Sequence, residues 1–176
     1  MYLRNSVTLM ETVGELAIAL CKTGDTKGAN QQIDVILKNS TVFYLNTRVL
    51  RILERIEQFL GGRISLGRLQ TLVDCVSERE EATIAVKLEF LDVITRNLEF
   101  EVYLSKQKED DRAKEKLVRV TEMVVDELNL LIGESEGKED RNHLTRLLIR
   151  LSREEVYYRI VKPDLFRRAV GCLVRE

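Results

Sequence analysis

The chain contains a single histidine, His143, on which most metal and acid–base chemistry would have to depend. Glu139 and Asp140 precede it by four and three residues, so a helix would place an acidic side chain on its face. A metal centre needs three or four ligands, and no second Glu-x-x-His or Asp-x-x-His motif is present. Ser-His-Asp and Cys-His machinery would also need this one residue. We therefore predict a surface or boundary histidine and no catalytic, metal or cofactor-binding residues.

Carboxylates are more numerous than histidines, and two pairs have a suggestive spacing. Glu78 with Glu81, and Glu89 with Asp92, are similar to the ExxE and ExxD pairs of all-α nucleotide pyrophosphohydrolases of the MazG kind. That resemblance implies Mg²⁺ held between two packed helices. Here both pairs are predicted to lie on one helix, where they cannot face each other across a cleft. We interpret them as solvated helix faces, where glutamate is favoured.

Charge distribution is the strongest functional signal in the sequence. The net charge of the whole chain is −1. Residues 141–176 contain nine basic and four acidic residues, so this segment carries +5 and the preceding 140 residues carry −6. A glycine- and glutamate-containing stretch, residues 133–137, has the composition of a loop. We predict an acidic helical body, 1–132, and a basic C-terminal helical unit, 138–176, packed either separately or as one domain with the body.

Arginines of the basic unit fall on predicted helix faces. Arg146, Arg150 and Arg153 share one face. Arg167 and Arg168 lie near the start of a final helix that follows a short turn, at helix-turn-helix lengths. Such a face binds phosphates, or it pairs with carboxylates of the same protein or of a sister chain. We expect pairing with protein carboxylates, because the overall charge is balanced and no aromatic residues alternate with these arginines to stack bases.

The elements that must position these residues are predicted to be helices. The sequence has one proline, no sustained β alternation and abundant helix-forming residues. The pattern predicts an all-α bundle of eight or nine helices, built from αα-hairpins. Three Ser/Thr-x-x-Glu capping boxes, at Thr8, Ser77 and Ser152, predict helix starts, and Gly24 predicts a left-handed helix end. Ser40 is predicted to cap a third helix.

The first predicted hairpin resembles a tetratricopeptide hairpin over about thirty residues. Its small and apolar residues fall near the pattern of that repeat: Leu16, Ala17, Leu20, Gly24, Ala29 and Ile33. The large aromatic residue of the first helix is absent, and no clean successor follows after about 34 residues. Gly62 and Gly67 repeat the spacing of Gly24 and Ala29, as a second similar hairpin would. We assign the chain to no family on this basis.

A long helix is predicted near residues 78–108, which contain neither glycine nor proline. Thirty helical residues would extend about 45 Å. Leu88, Leu91, Leu98 and Val102 lie on one seam, so they are predicted to be buried in an intramolecular bundle or in an interface with a partner. We expect such a helix to reach a partner or a second copy.

Composition indicates a soluble, cytoplasmic protein. The apolar stretch of residues 1–22 is interrupted by two glutamates, which is too polar for a signal peptide or a membrane span. Three cysteines, odd in number and far apart, suit a reducing compartment and neither a disulfide framework nor a metal clip. We predict no membrane association.

These observations favour binding over catalysis. We predict a non-enzymatic helical protein-interaction or assembly protein, with a protein partner or a second copy as ligand. The alternative is a nucleic-acid-associated protein using the basic C-terminal helices. A third reading is a metal-dependent all-α enzyme with carboxylates between Glu78 and Asp92. The candidate interaction surface is formed by Leu88, Leu91, Leu98, Val102, Arg146, Arg150, Arg153, Arg167 and Arg168.

Overall fold

The structure, a computed structural model, describes residues 2–40, 47–60, 64–78, 82–105, 107, 110–152 and 167. Seven helices and no strand occur in these ranges, which confirms the all-α prediction. They are α1 (Tyr2–Lys22), α2 (Thr26–Ser40), α3 (Thr47–Phe59), α4 (Leu66–Glu78), α5 (Ile84–Ser105), α6 (Asp111–Glu134) and α7 (Lys138–Ser152). The described helices number fewer than the eight or nine predicted. The last two predicted helices, within 153–176, lie outside the described residues apart from Arg167.

The chain divides into two compact units, Met1–Ala82 and Thr83–Glu176. Within the second unit, α7 packs against both α5 and α6. The predicted units 1–132 and 138–176 stay a prediction. Gly133 lies inside α6, and the Ser135 N–H donates to the Leu131 carbonyl at 2.9 Å to close the helix. Only three residues then separate α6 from α7, a length that joins neighbouring helices of one bundle.

In the first unit α1 packs against α2 and α3, and α2 also packs against α4. Gly24 has a φ of 82°, which confirms the left-handed end of the first hairpin helix. The Asp25 carboxylate accepts a hydrogen bond from the Gly28 N–H at 2.9 Å and caps α2. The hairpin boundary is therefore formed by residues whose conformational preferences are local, and the sequence predicted it.

Two predicted helix starts in the first unit are wrong. Thr8 lies inside α1, where its carbonyl accepts a hydrogen bond from the Thr12 hydroxyl at 3.0 Å. The glutamate of that capping box, Glu11, instead binds Arg48 of α3. Ser40 is the last residue of α2 rather than the cap of the next helix. A Ser/Thr-x-x-Glu pattern also fits a helix interior, so tertiary packing decides its role.

The helix predicted near 78–108 begins later than expected. Ser77 and Glu78 form the last turn of α4, so the capping box at Ser77 is not a helix start. The start of α5 is instead marked by Thr83, whose hydroxyl accepts a hydrogen bond from the Val86 N–H at 3.4 Å. With 22 residues, α5 extends about 33 Å and is shorter than the 24-residue α6.

The seam of α5 is buried within the single chain. Leu88, Leu91, Leu98 and Val102 have no exposed surface, and Thr95 between them donates its hydroxyl to the Leu91 carbonyl at 2.7 Å. Their packing against α6 and α7 forms the core of the second unit. The predicted burial is therefore confirmed, and the exposed positions described in α5 are confined to one stripe that includes Arg96, Phe100 and Tyr103.

Candidate interaction surface on α5 and α7

Arg150 connects the basic helix α7 to the acidic face of α5. Its Nη1 donates to Asp92 Oδ1 at 2.7 Å, and its Nε lies 3.4 Å from Glu99 Oε1. Asp92 and Glu99 are two turns apart on α5 and so lie on the same face. About one third of the Arg150 side chain is exposed. One arginine of the predicted basic face is therefore neutralised by carboxylates of its own chain.

Asp92 is shared between two guanidinium groups. Besides Arg150, it faces Arg96 one turn later on α5, with Arg96 Nε 3.6 Å from Asp92 Oδ2. Half of the Arg96 side chain is exposed, so solvent screens this second pair and it adds little stability. Arg96 thus places a half-exposed guanidinium at the surface.

The other predicted arginines differ in position. Arg146 lies one turn before Arg150, is exposed, and donates from Nε to the Asn142 carbonyl of its own helix at 3.4 Å. Arg167 is exposed. Arg153 and Arg168 lie outside the described residues. The structure therefore brings Arg146 and Arg150 together on α7, and the role of all five in binding stays a prediction.

Two aromatic side chains, Phe100 and Tyr103, extend the surface of α5 beyond Arg96. Their exposed fractions are 41% and 59%, and their ring centroids are 6.5 Å apart in a stacked arrangement. Positions 96, 100 and 103 share one helix face, away from the buried seam. The predicted interaction surface did not include these two aromatic residues, although their spacing with Arg96 can be read from the sequence. The seam leucines, by contrast, present no surface of their own.

His143 lies at the same junction of α5 and α7 and is half-buried. Burial lowers the pKa of its imidazole, Asp92 and Glu89 act in the opposite direction, and Arg146 and Arg150 lower it further. The net effect leaves the pKa of the imidazole below its ordinary value. Among the residues that the structure describes, no cluster of three or more His, Cys, Asp or Glu side chains could hold a metal ion.

The carboxylate pairs that resemble a pyrophosphohydrolase do not share one helix. Glu78 ends α4, whereas Glu89 and Asp92 lie on α5. Glu81 lies outside the described residues. Asp92 is occupied by Arg150 and Arg96, so it does not offer an unneutralised carboxylate to a metal ion. The prediction that both pairs lie on one continuous helix is therefore wrong, because α4 ends at Glu78 and α5 begins at Ile84.

A concave feature lies in the first unit, between α2 and α4. An open groove of about 830 Å³ includes Asn30, Asp34, Lys38 and Arg68 in its lining. Arg68 donates to Asp34 Oδ1 at 2.8 Å, to Asn30 Oδ1 at 2.7 Å and to the Asn30 carbonyl at 3.0 Å. Its guanidinium is therefore used to fasten α4 to α2 and is not displayed for a ligand.

Comparison with known proteins gives no match to this chain among family models, curated proteins or solved structures. None of the helices in the described ranges has a segment that is both long and apolar enough to cross a membrane.

Proposed function

We propose that this chain is a non-enzymatic helical protein-interaction or assembly protein that binds a protein partner or a second copy of itself in the cytoplasm. The observation that carries the proposal is the ion pairing of Arg150 with Asp92 and Glu99. An arginine that is already paired with carboxylates of its own chain stabilises helix packing. It is less suited to binding the phosphates of a nucleic acid.

The chemistry of the exposed face supports protein binding. Arg96, Phe100 and Tyr103 lie on one exposed stripe of α5. Arginine and tyrosine are enriched among the residues that dominate binding energy at protein interfaces. Aromatic side chains bury a large area at a low entropic cost, so a stacked and exposed pair is an effective contact. We infer that this stripe is the principal contact.

The experiment compares a Phe100→Ala/Tyr103→Ala variant with the matched control Leu130→Ala, whose side chain is 60% exposed on α6. Cross-linked complexes from the native host and the mass of the purified protein by light scattering are measured for each. Loss of a complex in the aromatic variant alone supports the proposal. If the wild type and both variants form the same complexes in the same amounts, the stripe is not part of the interface.

Nucleic-acid binding remains the second candidate, and one observation favours it. Arg146 is exposed, and the stacked aromatic pair on α5 offers the flat surfaces on which unpaired bases stack. We would titrate single-stranded and duplex oligonucleotides by gel shift at two salt concentrations, with the wild type and an Arg146→Glu/Arg150→Glu variant. Micromolar wild-type binding that weakens with salt and is lost in the variant would favour this candidate over the first.

A further inference from the structure

The first helix, α1, has an apolar stripe on the face turned away from its contact with α3. Leu9 and Leu16 are 62% and 47% exposed, and Val13 and Leu20 lie half-buried beside them. These four residues follow one another at intervals of four, three and four, which is the spacing of a seam along which two helices pair. The stripe is thus a helix-pairing surface that the described residues of its own chain leave largely uncovered.

The acidic residues of α1 do not repel a second copy of the chain at this stripe. Both of them, Glu11 and Glu15, lie toward α3, where they form ion pairs with Arg48 and Arg55. Their negative charge is therefore balanced within the chain and lies to one side of the stripe. Two identical stripes can approach each other without bringing unbalanced like charges together.

The stripe itself is free of charge and has a shallow profile. Thr12 and Ala19 are exposed between the larger apolar residues, and their small side chains allow a second helix to come close. No lysine or arginine lies among these positions, so the stripe offers nothing to the phosphates of a nucleic acid or to an acidic peptide. Its chemistry fits an uncharged apolar helix face, and α1 of another copy is such a face.

We propose that α1 pairs antiparallel with α1 of a second copy, about a two-fold axis that passes between Val13 and Leu16. The intervals of the stripe are the same in both directions, so Leu9 meets Leu20 of the partner subunit and Val13 meets Leu16 of the partner subunit. A two-fold interface requires such a self-complementary patch. The antiparallel orientation also places the positive N-terminal end of each helix dipole beside the negative C-terminal end of the other, so the two ends attract.

The size of the stripe determines how strong this pairing is. From Leu9 to Leu20 it extends over about three helical turns, whereas a stable protein interface buries about 1,200–2,000 Å² in total. A helix pair of this length lies at or below the lower end of that range. The dimer is therefore weak, and it exchanges with the monomer at micromolar to millimolar concentration. This inference goes beyond the proposed function, since it concerns a surface other than the stripe of α5 and does not depend on it.

The first test measures the mass of the purified full chain by sedimentation velocity from low micromolar to millimolar concentration. We expect the wild type to shift from monomer to dimer and Leu9→Gln/Leu16→Gln to stay monomeric with an unchanged circular dichroism spectrum. The matched control is Val35→Gln/Leu130→Gln, at apolar positions that are 42% and 60% exposed on other helices, and it should dimerise like the wild type. A wild type that is monomeric throughout, or a Leu9→Gln/Leu16→Gln protein that dimerises equally well, would overturn the proposal.

The second test determines the register and separates this surface from the stripe of α5. A photo-cross-linking amino acid in place of Leu9 should label residues around Leu20 of the other copy, as mapped by mass spectrometry. Labelling around position 9 of the other copy, or of another segment of the same chain, would contradict the antiparallel pairing. The Phe100→Ala/Tyr103→Ala variant should dimerise like the wild type. If it is monomeric instead, the self-contact lies on α5 and the pairing through α1 is wrong.

Discussion

Gly14 of α1 lies directly against Ile52 of α3, so close that a Cβ atom at position 14 would overlap the Cγ2 of the isoleucine. Two ion pairs flank this contact, Arg48 with Glu11 and Arg55 with Glu15. The glycine allows the two backbones to approach, and the ion pairs hold the helices at the edges of the contact. The crossing of α1 and α3 is therefore defined by the absence of a side chain.

Gly14→Ala should destabilise the first unit by about 1–3 kcal/mol, because the added methyl group must displace Ile52 in a packed interior. The matched control is Gly133→Ala, in the exposed last turn of α6, where a Cβ meets no atom within 4 Å. There the same substitution should stabilise by about 0.5–1 kcal/mol through helix propensity. Urea denaturation measures the free energy of unfolding of both variants. A change of the same sign in both would contradict the close contact between Gly14 and Ile52.

Leu91→Asp should destabilise the second unit by about 3–5 kcal/mol, because it places an unpaired charge in the core of that unit. Leu130→Asp, at an exposed position of α6, should change stability by less than about 0.5 kcal/mol. Thermal unfolding followed by circular dichroism distinguishes the two. An unchanged melting temperature for Leu91→Asp would mean that the seam of α5 is misassigned.

Arg150→Gln should cost no more than about 1 kcal/mol at low salt, since the side chain is one third exposed and its ion pairs are screened. Most of that difference should disappear in 1 M salt. Arg146→Gln is the control on the same helix, because Arg146 bonds only weakly to its own backbone. If both substitutions have the same effect at both salt concentrations, the Arg150 pairs with Asp92 and Glu99 do not stabilise the fold.

Arg68→Lys should destabilise the first unit by about 1–2 kcal/mol although the charge is kept. The guanidinium makes three hydrogen bonds to Asn30 and Asp34 at once, and a lysine ammonium cannot reproduce this planar fork. Arg51→Lys is the control, because Arg51 is exposed on α3 and this substitution should leave the stability unchanged. A stability for Arg68→Lys equal to that of the wild type would show that charge alone holds α4 to α2.

Local signals in the sequence predicted the helices well. The turn at Gly24 and Asp25 followed from residue preferences, and the burial of Leu88 through Val102 followed from periodicity. The capping boxes at Thr8 and Ser77 failed because the same motif is compatible with an uninterrupted helix. Local pattern therefore located helices more reliably than it located their ends.

The candidate surface was less accessible to sequence reasoning. Arg150 and Asp92 are 58 residues apart in the chain, and nothing in their local sequence pairs them. The division between Ala82 and Thr83 depends on which helix faces pack together, and charge asymmetry does not report that. The arginine face could thus be predicted as a set of positions, whereas its neutralising partners could not be identified.

The hydrogen bonds between helices span different lengths of chain in the two units. In the first, Arg48 to Glu11 and Arg68 to Asn30 span 37 and 38 residues, while Arg150 to Asp92 spans 58. Domains fold as units during synthesis, starting with the N-terminal one. The first unit can therefore form its contacts on the ribosome before α7 has been translated. Part of the apolar surface of α5 stays exposed to solvent until α7 has been synthesised and packs against it.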